Sequence, residues 1–167
     1  PWNIAVDFDV DLSLFPHEIE PMLKDYSSEK NVKIDIPYFK EKLFYYTSGY
    51  PFLVSYTCKL LDEQILPGKT TWRVPDIETA INRLLKESNT NFDSLIKNLE
   101  NNPELYAFIK TIAVEGELIS YHVTDNLVSL AKTYGILRDE KGNCAIHNRV
   151  YEQLIYDHMT LKLIRQE

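Results

Sequence analysis

One candidate site for chemistry in this chain is the run PGKT at residues 67–70. A Gly-Lys-Thr run ends the phosphate-binding loop of P-loop proteins, where backbone N–H groups hold phosphates and the lysine and hydroxyl contact phosphate and Mg²⁺. The full pattern needs a glycine five positions before Gly68, where this chain has Glu63. It also needs a helix after the loop, whereas TWRVP follows here. The sequence therefore predicts a solvated loop.

An acidic run near the start of the chain is the second candidate site. Four carboxylates match the acidic positions of a calcium-binding EF-hand loop: Asp7, Asp9, Asp11 and Glu18. Leu12 occupies the place of the required glycine, and the intervening residues are apolar strand formers. The run therefore predicts no calcium site. On a strand the three aspartates would share one face, which is either solvated or turned towards a site.

The histidines lack the spacing that metal sites use. No pair among His17, His122, His147 and His158 fits a pattern such as H-E-x-x-H, and the chain contains neither G-x-S-x-G nor a glycine-rich dinucleotide fingerprint. The sequence predicts no metal ligand and no catalytic residue, so it does not favour a self-contained enzyme.

Composition narrows the class of protein further. The 167 residues are 44% hydrophobic and 26% charged, with a net charge of −7, which is typical of a globular protein without a polyanion-binding stripe. We find neither an apolar run of about 18 residues nor a signal peptide, so we expect no membrane contact. Cys58 and Cys144 lie far apart in apolar surroundings, which predicts buried free thiols in a reduced, cytoplasmic setting.

The elements that must position any site are mostly helical in the first hundred residues. Residues 3–12 alternate with period two and predict a strand, after which apolar residues recur at helical spacing. Asp35 is the predicted N-cap of one helix, Gly49 is its stop, and Pro51 suits the first turn of the next. The segment Asn101-Asn102-Pro103 breaks a later pair of helices.

After Gly116 the pattern changes to a short extended piece, a helix ending at Gly135, a hairpin and a last helix. Lys141-Gly142-Asn143 supplies the hairpin turn. This order predicts a winged helix. The predicted fold is therefore mainly α, with an N-terminal strand over 1–14, a helical bundle over 15–100 and a winged-helix domain with a short β-hairpin over 101–167.

A winged helix raises the question of DNA binding. Its second helix offers His122, Asn126 and Lys132 to a DNA groove, with Asp125 opposing them. From residue 101 on, seven basic residues face nine acidic ones, so counterion release would give little binding free energy. We therefore expect DNA to be an unfavoured partner and a protein contact to be the favoured one.

Three segments together resemble a known family: PWNIAVDFDVDLSLFPHEIEPML, YTSGYPFLVSYTCKLLDE and NTNFDSLIKNLENNPELYAFIKTI. Their order is similar to the lid and winged-helix part that follows the core of bacterial AAA-like, signal-transducing (STAND-like) P-loop ATPases. The resemblance covers essentially the whole chain, and it implies that the first strand completes the sheet of an ATPase core outside this sequence.

The resemblance also implies site residues. Gly49-Tyr50-Pro51 would be the Gly-x-Pro turn near the nucleotide, with Tyr50 against it, although a plain interhelical turn is the alternative. His147, at the end of the hairpin, would be the winged-helix histidine that reaches a phosphate. ATP and Mg²⁺ would be held mainly by the core outside this chain, so none is expected on the chain alone.

Three functions follow as hypotheses. The first is a regulatory lid and winged helix that couples the nucleotide state of an upstream ATPase core to interdomain motion, without catalysis of its own. The alternatives are a DNA-binding winged-helix module and a protein-interaction scaffold. The partners that these hypotheses allow are the upstream core, a C-terminal effector domain and a second copy of the chain.

Overall fold

The computed structural model describes residues 13–65 and 67–165 and divides them into two compact units. The bundle unit comprises residues 13–87 together with Asn148–Val150, and the C-terminal unit comprises Ser88–His147 and the chain from Tyr151 to Arg165. Eight α-helices, one π-helical turn and one two-stranded antiparallel sheet make up the regular structure of the described residues. The predicted mainly α fold with a short hairpin is confirmed. The predicted N-terminal strand lies almost wholly outside the described residues.

The bundle unit contains four α-helices: α1 (Pro16–Lys30), α2 (Ile36–Thr47), α3 (Pro51–Leu60) and α4 (Val74–Lys86). A π-helical turn, Leu61–Ile65, continues α3. Local chemistry sets the helix starts. The Asp35 carboxylate accepts from Tyr38 N at 3.2 Å, as predicted, and proline stands in the first turn of each helix, where no intrahelical N–H is needed.

Apolar side chains from all four helices fill the centre of the bundle unit. The largest fully buried ones are Ile19, Leu23, Phe39, Leu43, Leu53, Leu61, Ile77 and Leu84. Trp72 joins them although it lies in a loop, because a parallel bridge between Lys33 and Thr71 holds its segment against the unit. Its ring lies 5.0 Å from the Tyr26 ring centroid and 5.4 Å from that of Phe39.

The C-terminal unit contains α5 (Thr90–Glu100), α6 (Pro103–Ala113), α7 (Asn126–Thr133), β1 (Leu137–Glu140), β2 (Asn143–Ile146) and α8 (Arg149–Arg165). The first two residues of α8 group with the bundle unit. Strands β1 and β2 pair from Leu137–Ile146 to Glu140–Asn143 around Lys141 and Gly142, which confirms the predicted hairpin. Ser120 bridges Asn143 on the other side of β2, so an extended segment flanks the hairpin.

The core of this unit lies between the helices and the hairpin. Its fully buried apolar residues include Leu99, Leu105, Ile109, Ile136, Leu137, Ile155 and Met159. The sequence predicted a domain boundary between residues 100 and 101, whereas the compact units divide at Glu87 and Ser88. The two divisions differ in the placement of α5. No helix in the described residues is long and apolar enough to cross a membrane.

Candidate functional site

The turn between α2 and α3 is the most constrained part of the predicted site. Helix α2 ends at Thr47, and Ser48 and Gly49 both adopt left-handed backbone conformations, with φ of 50° and 76°. The Thr47 hydroxyl donates to Leu43 O at 2.6 Å and accepts from Gly49 N at 3.1 Å. Thr47 and Gly49 are buried, so these bonds satisfy polar groups that water does not reach.

Gly49 lies against the backbone that leads into α1. Leu14 N donates to Gly49 O at 2.7 Å. A Cβ built on Gly49 would lie 1.9 Å from Leu14 O and 2.8 Å from Leu14 C, far inside van der Waals contact. Both atoms belong to backbone, so no side-chain rotation could relieve the clash. Only glycine fits this position, for its positive φ and for the close approach of Leu14.

Tyr50 and Pro51 begin α3. Tyr50 is the N-cap residue, and its carbonyl accepts from Val54 N at 3.0 Å. Its side chain is buried, with the ring centroid 6.3 Å from that of Phe52. No side chain caps this helix start, and Pro51 fixes the direction in which α3 leaves the turn. Gly49, Tyr50 and Pro51 therefore form one rigid turn in the bundle unit.

His147 lies in the C-terminal unit, directly after β2. Its backbone N–H donates to Ile136 O at 2.8 Å, and its residue is only 7% exposed. Burial lowers the pKa of the imidazole to about 4, with a further contribution from the positive charge of Arg138. The ring is therefore neutral near pH 7. A contact with phosphate would have to use it as a neutral donor.

The three residues proposed for DNA are all exposed on the C-terminal unit. His122 precedes α7, Asn126 begins it and Lys132 lies in its last turn. At 100° per residue, Asn126 and Lys132 project about 120° apart, so they do not share one face of α7. The Asp125 carboxylate accepts from Leu127 N and Val128 N, which places a negative charge at the start of this helix. The DNA alternative stays a prediction.

The other sequence motifs have structural roles where the structure describes them. The loop over 67–70 is followed by extended residues, and Lys69 Nζ lies 4.0 Å from the Asp76 carboxylate. Glu18, from the acidic run, accepts from Phe15 N at 2.8 Å at the start of α1. Asp7, Asp9 and Asp11 lie outside the described residues. Among the described residues, no three His, Cys, Asp or Glu side chains are grouped so that they could hold a metal ion.

Both cysteines are free thiols. Cys58 is partly exposed as a residue, but its thiol is enclosed, and burial raises its pKa to about 12. Burial also raises the pKa of the Cys144 thiol, with Asp125 and Asp139 adding to the shift. A protonated thiol is a weak nucleophile, so neither cysteine is activated for chemistry.

Two features of the bundle unit were not found from the sequence. The first is Leu14, whose backbone fixes Gly49 from 35 positions away. The second is a cluster in which the Arg149 guanidinium lies over the ring of Tyr45. The spacing of Tyr38, Lys42 and Tyr45 along one face of α2 was a usable signal for part of that cluster. No signal in the sequence indicated that Arg149 would join the cluster.

Comparison of the chain with family models, with curated proteins and with solved structures gave no significant match.

Proposed function

We propose that this chain is the lid and winged-helix region of an AAA-like, STAND-like P-loop ATPase. In this proposal a nucleotide-binding core upstream holds ATP and Mg²⁺, and this chain transmits the nucleotide state to other parts of the protein. The proposal assigns no catalytic residue to this chain. The proposal rests on the sequence resemblance and on the geometry of the Gly49 turn.

The observation that carries the proposal is the contact between Gly49 and Leu14. The resemblance makes the residues before α1 the connection from the ATPase core to the bundle. Leu14 lies in that connection, and its backbone is joined to the α2–α3 turn by the 2.7 Å hydrogen bond and by the close approach at Gly49. A displacement of the connection would therefore move the start of α3 directly, instead of being absorbed by loose side-chain packing.

Pro51 would extend this coupling into the bundle. Its fixed φ sets the direction of α3, and α3 places Leu53 and Val54 in the buried core. Movement at the turn would then be passed to the packed helices as a rigid-body rotation. A plain interhelical turn would have the same backbone conformation but no effect on nucleotide turnover.

The test compares two glycines with the same backbone requirement. Gly49 and Gly68 have φ of 76° and 78°, but a Cβ on Gly68 meets nothing within 4 Å. We expect Gly49→Ala, in the complete polypeptide that contains this chain, to lower ATP turnover or nucleotide affinity at least 10-fold. Gly68→Ala should leave both within about two-fold, because it perturbs only an exposed loop. Steady-state ATPase assays and equilibrium nucleotide binding measure these effects.

Pro51→Ala provides a milder variant in case Gly49→Ala does not fold. It keeps the glycine turn and releases the constraint on the direction of α3. A several-fold change in turnover with an unchanged circular dichroism spectrum would support the coupling. If folded Gly49→Ala or Pro51→Ala protein retains wild-type turnover and affinity, or if the complete polypeptide binds no ATP, the proposal is wrong.

A further inference from the structure

Two cations and one ring form a cluster on the bundle unit that the proposed coupling does not use. Tyr45, near the end of α2, is 46% exposed. The Arg149 guanidinium carbon lies 3.8 Å from the centroid of the Tyr45 ring, and Lys42 Nζ lies 5.1 Å from the same centroid. These distances place the two charges within about 9 Å of each other, each in the range of a cation–π contact.

Neither cation has a carboxylate partner among the described residues. Lys24 and Lys40, in the same unit, each lie 3.0 Å from Glu20, whereas no carboxylate oxygen of the described residues lies within 4.0 Å of Lys42 or Arg149. The two cations share one ring, so they concentrate positive charge on one part of a chain whose net charge is −7. Their positive potential is therefore available to an anion from solution.

Arg149 is held in place before any ligand arrives. Its Nη1 donates to Tyr45 O at 3.0 Å while the guanidinium covers the ring. This bond uses one of five N–H donors, and the residue is exposed. Because the side chain is already ordered, an anion that binds it pays little additional conformational entropy. A guanidinium also matches the oxygens of phosphate in geometry and charge.

We propose that Lys42, Tyr45 and Arg149 form a binding site for the linked phosphate groups of a small molecule, such as a pyrophosphate moiety. The guanidinium would bind one phosphate and the Lys42 ammonium the next. Glu78 acts on the neighbouring Tyr46 phenol, whose pKa is raised by burial first and by this carboxylate second, so one negative charge lies near the site. The site does not depend on coupling to an ATPase core.

The test titrates the chain with inorganic pyrophosphate at low salt, using calorimetry and the NMR signal of the Arg149 Nε–H group. We expect saturable binding with a Kd in the millimolar range or tighter, and a shift of the Arg149 signal. Lys42→Gln with Arg149→Gln should weaken binding at least 10-fold, as expected for lost charge-assisted hydrogen bonds. Inorganic phosphate should bind more weakly than pyrophosphate, because it cannot link the two cations.

The matched control is Lys59→Gln with Lys86→Gln, which removes the same charge from exposed positions of the bundle unit. It should change the pyrophosphate affinity less than about two-fold. Lys42→Gln alone leaves the hydrogen bond from Arg149 to Tyr45 intact, so it serves as the test if the double variant does not fold. This single variant should weaken pyrophosphate binding several-fold. The proposal is wrong if wild-type protein does not bind pyrophosphate at about 10 mM, or if the control pair weakens binding as much as the site pair.

Discussion

At the scale of single residues, Gly49 and Gly68 show two different reasons for a glycine. Gly68 has a positive φ alone, whereas Gly49 has a positive φ and a close backbone neighbour. For an alanine at either position, the left-handed conformation costs about 1 kcal/mol. At Gly49 the new Cβ would also have to displace the Leu14 backbone, which lies 1.9 Å away. We expect Gly68→Ala to lower the free energy of unfolding by about 1 kcal/mol and Gly49→Ala by about 3 kcal/mol or more.

Urea denaturation of the two variants, followed by circular dichroism, measures this difference. Equal losses at both positions would mean that Leu14 moves aside at little cost, and the rigid connection to the turn would then be absent.

His147 makes a second residue-scale prediction, in the pH dependence of stability. Its pKa falls from an ordinary value of 6.5 to about 4 in the folded chain, chiefly because the ring is buried. The unfolded state therefore binds the proton more tightly. The stabilisation associated with a neutral His147 is complete above pH 6.5 and is lost as the pH falls towards 4, by about 3 kcal/mol at most.

His147→Gln removes this titration and leaves all carboxylates in place. We expect the free energy of unfolding of the wild type to fall more steeply between pH 6.5 and pH 4 than that of the variant. Urea denaturation at several pH values gives both curves, whatever the variant loses at neutral pH. Parallel curves would show that His147 titrates in the folded state as it does in the unfolded state.

At the scale of elements, local chemistry made most of the fold readable from the sequence. The Asp35 cap, the proline at the start of α3, the Asn101-Asn102-Pro103 break and the Lys141–Gly142 hairpin all lie where their residue types predict. Each of these signals acts within a few positions of the chain. In each case the residue that sets the structure is a neighbour in sequence of the element that it begins or ends.

Elements fixed by distant contacts were not predictable in the same way. Trp72 lies in a segment that looks like a solvated loop, and it is buried because Lys33 pairs with Thr71 from 38 positions away. The reason for Gly49 is similarly remote, since Leu14 is the group that excludes a side chain. The sequence correctly predicted a turn at Gly49. Only the tertiary structure shows that Leu14 is the neighbour that makes a glycine necessary there.

At the scale of the whole molecule, the sequence and the structure divide the chain at different places, and the two divisions assign α5 to different units. The sequence break at Asn101 assigns α5 to the bundle, whereas the compact units assign it to the helices and hairpin that follow. Phe92 and Leu99 of α5 are buried, and the Phe92 ring lies 6.2 Å from that of Tyr151 in α8. We therefore expect α5 to unfold with the C-terminal unit.

Native-state hydrogen exchange, read residue by residue by NMR, tests this expectation with one core truncation in each unit. Ile109→Ala in α6 and Leu43→Ala in α2 each remove a fully buried side chain and should each cost about 2–5 kcal/mol. The amides of α5 should lose protection in Ile109→Ala and keep it in Leu43→Ala. The reverse result would place the boundary after α5. Equal losses of protection throughout both units in both variants would show that the chain unfolds as one cooperative body, because each core would then depend on the other for its stability.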